Sequence, residues 1–299
     1  MIMKVKNKKK ILLINIDKKY PNFALEKIAS YHKEDKVIRD IELLSSQSNK
    51  IYVSCIFSWN KYLCRKWEGI AEIGGSGYSL IKTLPREIEK VNPHINWGFT
   101  TRGCIRNCPF CIVRQKEGGI RVVGDLYNLW DGKSKDIVLL DNNILALPNH
   151  FQKVCNQAHK EKVRLDFNQG LDFRLLTNDI CSILKIISHK EYRFAFDYPE
   201  LEKGVDKAIK MLQKHGINKC TWYVLVGFNT TFEQDLRRLN FLKDRNQNAY
   251  VQRFNKTKDK KYIQLARWSN QKHIFNGMTY KQFLESSDNK FDNRENYLI

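Results

Sequence analysis

Apolar and polar positions along the chain follow two rhythms, and together they predict an α/β fold. The apolar run at 10–16 predicts a buried strand, and apolar residues at helical spacing predict a helix over 22–32. A short strand is predicted at 37–41 and a stronger one at 50–57, where apolar and β-branched residues dominate. From residue 95 the alternation of strand and helix becomes regular. Strands are predicted at 95–101, 136–141, 163–168, 192–197, 220–227 and 249–254, and helices at 149–160, 177–187, 200–215 and 230–244.

This alternation also predicts how the domains are organised. Parallel strands joined by right-handed helical crossovers are expected, which for six strands indicates a partial (β/α)6 TIM-like barrel with its chemistry at the carboxyl ends of the strands. The rhythm is lost over 59–93, a stretch that contains Gly-Gly-Ser-Gly and two prolines and that we interpret as an interdomain connection. We predict a small α/β domain with its connector over 1–90, a core over 91–255 and a basic appendage over 256–299.

The charge balance changes the picture only in part. Lys and Arg number 52 against 32 Asp and Glu, a net charge of +20, and the excess is concentrated toward the two ends of the chain. A nucleic-acid partner is one explanation. The other is the Lys-, Asn- and Ile-rich bias that an AT-rich coding sequence imposes on any protein. Charge alone does not choose between them.

No apolar run approaches the roughly 20 residues that a membrane-spanning helix needs, and the basic start lacks the cleavage site of a secretion signal. The eight cysteines do not form the pattern of a disulfide framework. We therefore expect a cytoplasmic protein with reduced thiols and no membrane partner. Five cysteines stand singly and are predicted to be small core residues: Cys55, Cys64, Cys155, Cys181 and Cys220.

The other three cysteines lie close together in the run Gly-Cys-Ile-Arg-Asn-Cys-Pro-Phe-Cys, as Cys104, Cys108 and Cys111. Compact runs of thiolates hold iron-sulfur clusters. Three thiolates on a four-iron cluster leave one iron open to a substrate or cofactor. A structural zinc usually takes a fourth Cys or His ligand, and a thioredoxin-like pair would give Cys104 no role.

The C-x3-C-x2-C run, with an aromatic residue before its last Cys and a βα series after it, resembles the radical S-adenosylmethionine (SAM) superfamily over about residues 95–255. The resemblance implies a 4Fe-4S cluster on Cys104, Cys108 and Cys111, with SAM on the open iron. It also implies reductive cleavage of SAM to methionine and a 5'-deoxyadenosyl radical that abstracts hydrogen from a substrate. The electron donor would be a flavodoxin or ferredoxin. No residue is assigned as a general acid or base.

The resemblance suggests further cofactor contacts near the start of the core. Phe110 fits the aromatic position that packs near the adenine. Asp141 and Asn142, followed by Asn143, occupy the place of the family's Gly-Gly-Glu run, which receives the SAM amino group, although the glycines are absent here. The alternative for each polar residue is a loop cap or turn.

Later strand ends offer four more candidates. Asn168, with Gln169 beside it, and Asp197 would suit the ribose hydroxyls and the carboxylate of SAM. Gly227 would let the backbone approach the adenine, because it has no Cβ. Arg253 would face SAM or substrate, or else pair with a carboxylate.

The N-terminal residues 8–80 resemble the cobalamin-binding-type domain, a Rossmann/flavodoxin-like α/β unit that precedes many radical SAM barrels. The Asp-x-His-x-x-Gly loop that ligates cobalt there is missing, so we expect a degenerate form without bound cobalamin. Gly74, Gly75 and Gly77 are read as a turn rather than as a cofactor cradle.

Two other functions stay open. The first is an iron-sulfur binding or electron-transfer protein that does not cleave SAM. The second, within the enzyme class, is an RNA-modifying (tRNA) enzyme. The appendage carries aromatic side chains that would either stack on RNA bases or dock onto the barrel: Tyr262, Trp268 and Phe275, near Arg267 and Lys272.

Overall fold

The computed structural model describes residues 8–286, which form a mixed α/β chain with several parallel sheets. The α/β class is therefore confirmed. The chain divides into two compact units, one ending at Lys133 and the other beginning at Ser134. Part of the lysine-rich start, 1–7, and the end of the predicted appendage, 287–299, lie outside the described residues. Within the described residues no helix is long and apolar enough to cross a membrane.

The first unit is built on a four-stranded parallel sheet in the order β2-β1-β3-β4. Its strands are β1 (Lys10–Asn15), β2 (Lys36–Arg39), β3 (Lys50–Ser54) and β4 (Glu72–Gly74), and helix α1 (Phe23–Tyr31) connects the first two. The order changes direction between β1 and β3, as in flavodoxin-like sheets. Strand β4 lies within the stretch that the sequence predicted to be a connector, so that prediction is wrong for this strand.

The four central residues of strand β1, 11–14, are all apolar because both faces of the strand are covered. Leu12 and Ile14 pack in one core cluster with Trp67, whereas Ile11 and Leu13 pack in another beneath α1. These four side chains are at most 1% exposed. The unbroken apolar run is thus explained by a central strand between two layers.

Apart from its 3-10 helices, of which Glu42–Gln47 and Ser58–Trp67 are the longest, the rest of the first unit has short elements. These are helices α2 (Arg86–Glu89) and α3 (Val113–Glu117) and strands β5 (Trp97–Gly98), β6 (Thr101–Arg102) and β7 (Arg121–Val122). The single strand predicted over 95–101 is wrong, because Asn96 and Gly98 take positive φ values of 67° and 151° and break it. Strands β6 and β7 pair antiparallel and bring the ends of 103–120 together.

The second unit alternates strands and helices as predicted, with element ends within two residues of the predicted ones. Its elements are β8 (Asp136–Leu139), α4 (Pro148–Glu161), β9 (Arg164–Phe167), α5 (Asn178–Ile186), β10 (Arg193–Ala195), α6 (Glu202–Lys214), β11 (Thr221–Val226), α7 (Phe232–Asp244) and β12 (Asn248–Arg253).

All strand pairs within this unit are parallel among the described residues. Strand β8 pairs with β9, and β10, β11 and β12 form a three-stranded sheet in that order. Parallel bridges from Leu165 to His189 and from Leu171 to Phe194 link the two groups. The carboxyl ends of these strands therefore carry successive connecting loops, where parallel α/β proteins place their ligands.

The described part of the predicted appendage folds into helices α8 (Lys260–Asn270), α9 (Lys272–Gly277) and α10 (Tyr280–Glu285). Trp268 and Phe275 are fully buried, with ring centroids 4.9 Å apart. The Asn270 side chain accepts a hydrogen bond from the Val251 amide of β12 and donates one to its carbonyl. Of the two alternatives for Trp268 and Phe275, docking of the tail is confirmed, and their burial excludes stacking on RNA.

Candidate functional site

The three clustered cysteines lie on a loop between β6 and α3, here called the thiol loop (residues 103–111). Gly103 opens it with φ +86°, and a Cβ at this position would lie 2.3 Å from the carbonyl oxygen of Gly119. Only glycine fits such a conformation and such a close approach. The Cys104 amide donates to the carbonyl oxygen of Gly118 at 3.3 Å. The start of the loop is therefore held against the backbone that follows α3.

Side chains fasten the same loop at both ends. The Arg114 guanidinium, in α3, donates to the carbonyl oxygen of Cys104 at 3.1 Å. Arg102 of β6 makes a bidentate pair with Glu117 at 2.8 and 2.6 Å. Between them, the Cys111 amide donates to the carbonyl oxygen of Cys108 at 3.0 Å and closes a tight turn. Two cysteines are thus presented from a short turn that is anchored to its neighbours.

Exposure separates these cysteines from the others. Cys104 and Cys108 are partly exposed and Cys111 is exposed. Burial confirms the prediction for the core cysteines: Cys55, Cys64, Cys155, Cys181 and Cys220 are at most 1% exposed. Burial also raises the pKa of two of these core thiols, Cys55 and Cys220, to about 12. The solvent-accessible thiols are therefore those of the thiol loop.

The donors on the loop suit an iron-sulfur cluster by their chemistry. Thiolates on a compact run are the usual ligands, and hydrogen bonds to sulfur tune such centres. The Arg106 amide donates to the Cys104 sulfur at 3.3 Å. Among residues 8–286, no group of three or more His, Cys, Asp or Glu side chains is arranged to hold a metal ion. Phe110 lies between the last two cysteines and is partly buried.

In the second unit, the loop after β8 carries Asp141, Asn142 and Asn143. Asp141 and Asn143 are 4% and 3% exposed, and Asn142 is partly exposed. The Asn143 amide group donates to the Asp172 carboxylate at 3.2 Å. Because Asp172 follows β9, this hydrogen bond joins the ends of two neighbouring strands.

Asn168 and Gln169 follow β9, and both side chains are exposed. The Asn168 main chain bonds at both sides, its amide to the Leu139 carbonyl at 3.1 Å and its carbonyl to the Tyr223 hydroxyl at 2.8 Å. The backbone at this strand end is therefore fixed while the two polar side chains face solvent.

Asp197, which follows β10, carries a partly buried carboxyl group whose pKa is raised. Burial raises its pKa to about 6, against the opposing pull of the Arg238 and Arg174 guanidiniums and of a hydrogen bond from the Leu225 amide. Such a group is neutral or charged according to small changes around it. Perturbed carboxyls of this kind concentrate at functional sites, although structural networks also produce them.

Gly227 closes β11 with φ +73°, a backbone conformation that favours glycine. Its amide donates to the Asp235 carboxylate at 3.0 Å. A Cβ here would lie 3.7 Å from the Tyr262 ring, which is an ordinary contact. The left-handed backbone, and not crowding by the protein, therefore explains this glycine.

Two helix residues that sequence reasoning missed hold these strand ends. Asp235 and Arg238 of α7 are 0% and 1% exposed, and the Arg238 guanidinium donates to the Asp235 carboxylate at 2.5 Å. Arg238 also donates to the carbonyl oxygens of Phe196 and Leu225. One buried ion pair thus connects the end of β10, the end of β11 and the amide of Gly227.

A sequence signal for this pair existed. Asp235, Arg238, Leu239 and Leu242 share the three- and four-residue spacing of a buried helix face, and the first two are charged where apolar residues are expected. A charged pair three residues apart within an apolar stripe indicates a buried ion pair.

Arg253, at the end of β12, is a half-buried cation that bonds to a carbonyl group. Its guanidinium donates to the Thr257 carbonyl oxygen at 2.6 Å. Burial lowers its pKa. Within residues 8–286 it forms no ion pair, so the expected alternative of a carboxylate partner is wrong. Its charge is left to attract an anionic group.

At the carboxyl edge of the first unit's sheet, the polar groups are already bonded to one another. The Asp17 carboxylate, 4% exposed, accepts hydrogen bonds from the Ile56 amide at 2.5 Å and the Asn60 side chain at 2.6 Å. A Cβ on Gly75 or Gly77 would lie 2.2 or 2.4 Å from the backbone of Cys55 or Phe57. These two glycines pack against protein backbone, and the Tyr78 amide donates to the Gly75 carbonyl oxygen at 3.1 Å. The predicted turn is therefore confirmed for Gly75 and Gly77, whereas Gly74 belongs to β4.

No protein-family model matches the chain, and no curated protein is significantly similar to it.

Proposed function

We propose that this protein is a radical SAM enzyme acting on a substrate not yet identified. The carrying observation is the thiol loop: three accessible cysteines in a C-x3-C-x2-C run, while the other five cysteines are buried. The parallel β/α series of the second unit supports the proposal, and a partial (β/α)6 barrel is part of it. A reducing compartment and a flavodoxin or ferredoxin as electron donor also belong to it.

In this proposal Cys104, Cys108 and Cys111 hold a 4Fe-4S cluster. When bound, the cluster and SAM supply reductive cleavage of SAM to methionine and a 5'-deoxyadenosyl radical, which takes hydrogen from the substrate. The protein's own task is to bind, orient and exclude water. The assignment rests on the chemistry of the three donors and on the glycine and arginine contacts that fix the loop.

Polar groups of the second unit are assigned to SAM or substrate. Arg253 offers a guanidinium without an ion-pair partner among the described residues, which suits a carboxylate. Asp197 and Asn168 offer groups that can bond to ribose hydroxyls, and Asp141 and Asn142 could receive an amino group. Asp235 and Arg238 would act as positioning residues, because they hold the ends of β10 and β11.

The test begins with iron. Protein reconstituted anaerobically with iron and sulfide should bind about four irons per chain and show the broad visible absorption of a cluster. Replacing Cys104, Cys108 or Cys111 by Ala should abolish both signals, because each supplies a thiolate. Cys155→Ala is the matched control, since it removes a buried thiol, and it should keep the iron. Equal loss of iron in this control would contradict the ligand set.

A second measurement separates the enzyme from an electron-transfer protein. Reduced, cluster-loaded protein with SAM should form 5'-deoxyadenosine slowly even without substrate. Absence of this product at full iron occupancy would reject the enzyme and favour an iron-sulfur protein that does not cleave SAM. Zinc in place of iron would reject both.

A further inference from the structure

One exposed surface of the first unit is not used by the proposed function. It lies on the 3-10 helix Ser58–Trp67, which buries Cys64 and Trp67. A 3-10 helix has three residues per turn, so side chains at i and i+3 form one row. Trp59, Tyr62 and Arg65 make up a second row, here called the outward row. All three are exposed, Trp59 by 42% and Tyr62 by 62%.

The row is held in place from beneath. The Trp59 ring stacks on the Phe57 ring, with centroids 4.6 Å apart and planes inclined by 11°. The Asn60 side chain donates to the buried Asp17 carboxylate at 2.6 Å. Cys64 is 0% exposed and Trp67 is 3% exposed, so they anchor the helix in the core. A ligand would meet rings whose supporting backbone is already ordered, which reduces the entropy lost on binding.

The charge of this segment has one sign. Residues 58–67 include Lys61, Arg65 and Lys66 and no acidic side chain. Lys66 pairs with Glu42, and Lys61 lies over the Tyr78 ring at 5.3 Å. Arg65 is exposed and forms no ion pair within residues 8–286. The row therefore combines two exposed aromatic side chains with one cation, Arg65, that has no ion-pair partner among the described residues.

Aromatic faces combined with positive charge suit single-stranded nucleic acid, because bases stack on rings while the phosphates meet cations. Successive residues of the row rise by about 6 Å along the helix, so each ring can meet a different base. The net charge of +20 adds long-range attraction. An apolar protein partner would gain nothing from the cations.

We propose that Trp59, Tyr62 and Arg65 form a contact surface for single-stranded nucleic acid. This proposal goes beyond the proposed function, because the binding requires neither a cluster nor SAM. It also differs from the rejected tail surface, whose Trp268 and Phe275 rings are buried.

The test is fluorescence anisotropy with the full chain and a fluorescein-labelled oligouridylate of about 15 nucleotides, near the upper site size of single-strand binders. Tyr62→Ala should weaken binding by about 5- to 100-fold, the range reported for loss of one stacked base. Arg65→Gln should weaken binding and lower the slope of log affinity against log salt by about 0.7. Both residues are exposed, and circular dichroism checks that the variants fold.

Two matched controls come from other exposed positions. Tyr31→Ala removes a ring that is 46% exposed on α1, and Lys207→Gln removes an exposed cation on α6. Both should bind like the unchanged protein. If either control weakens binding as much as its counterpart in the outward row, the proposal is wrong.

Further outcomes also decide the matter. A duplex of the same length that binds as tightly as the single strand would exclude stacking, and no binding at about 50 mM salt would exclude the surface altogether. The Cys104→Ala variant should bind the oligonucleotide normally. Nucleic-acid binding by protein that holds no iron supports this proposal even if the radical SAM proposal fails. Iron binding without nucleic-acid binding would reject this proposal and leave the radical SAM proposal standing.

Discussion

The carboxyl edge of the first unit's sheet and the strand ends of the second unit both carry carboxylates, but the two regions hold them differently. In the first, Asp17 is fully engaged with main-chain amides and with Asn60, and Gly75 and Gly77 fill the space next to it with backbone. In the second, Asp197 is buried far enough to raise its pKa to about 6, and Arg253 meets only a carbonyl group among the described residues.

This difference in how the polar groups are bonded indicates which of the two sheet edges can bind a ligand. A carboxylate whose acceptor sites are used by local amide groups stabilises a turn. It has little hydrogen-bonding capacity left for a cofactor. A half-buried cation without a counter-ion and a carboxyl group near its titration point carry a desolvation cost that a charged ligand could offset. We therefore predict that the first edge serves as scaffold, and we place the polar groups of a cofactor or substrate at the second.

The largest expected effect is the loss of the buried ion pair beneath the second region. Arg238→Ala leaves Asp235 as an uncompensated buried charge, which should lower the free energy of unfolding by about 3–5 kcal/mol. Urea denaturation followed by circular dichroism measures the loss. Hydrogen exchange should show faster opening at Gly227 and at the ends of β10 and β11.

Arg237→Ala is the matched control for that variant, because its guanidinium pairs at 3.2 Å with Glu202 on the surface and is 74% exposed. Its cost should stay within about 1 kcal/mol. Equal destabilisation by the two variants would show that the ion pair does not hold the strand ends.

The next effect concerns the scaffold edge. Asp17→Ala removes the acceptor of the Ile56 amide and of the Asn60 side chain, so it should cost about 2–3 kcal/mol. Urea denaturation provides the measurement, with the exposed Glu68→Ala as control. Iron binding by the thiol loop should not change in either variant. Loss of iron in Asp17→Ala alone would mean that this edge supports the site and is not merely scaffold.

Much of the fold was predictable because its signals are local. The apolar runs of β1, β8 and β11 and the helical spacing of α4–α7 follow directly from burial on two faces or on one stripe. The strand predicted at 95–101 failed because positive φ values at Asn96 and Gly98 leave no mark on hydropathy. Strand β4 was missed because three residues paired at a sheet edge carry almost no periodic signal.

The candidate site was predictable only where sequence spacing itself carries the chemistry. Cys104, Cys108 and Cys111 could be found from their spacing alone. Arg114 could not, because its contact with the Cys104 carbonyl depends on how α3 folds back. The two alternatives for the aromatic residues of the appendage stayed open for a similar reason, since only tertiary packing decides that Trp268 is buried and Tyr62 is exposed.

The smallest expected effect concerns the titration of Asp197. Its folded-state pKa of about 6 lies above that of an unfolded aspartate, so its stabilising contribution is fully present below about pH 4 and is lost as the pH rises through 6. Asp197→Asn should remove this dependence. Relative to the unchanged protein, the variant should therefore gain about 2 kcal/mol of stability between pH 4 and pH 7, measured by urea denaturation at several pH values.

Asp206→Asn on α6 is the control of opposite sign. Hydrogen bonds from Lys210 and Arg245 lower the pKa of Asp206, so its contribution is lost as the pH falls. If Asp197→Asn instead follows the slope of this control, the Asp197 carboxyl is ionised and paired in the folded protein. The second region would then resemble the satisfied edge of the first, and the contrast on which the ligand assignment rests would disappear.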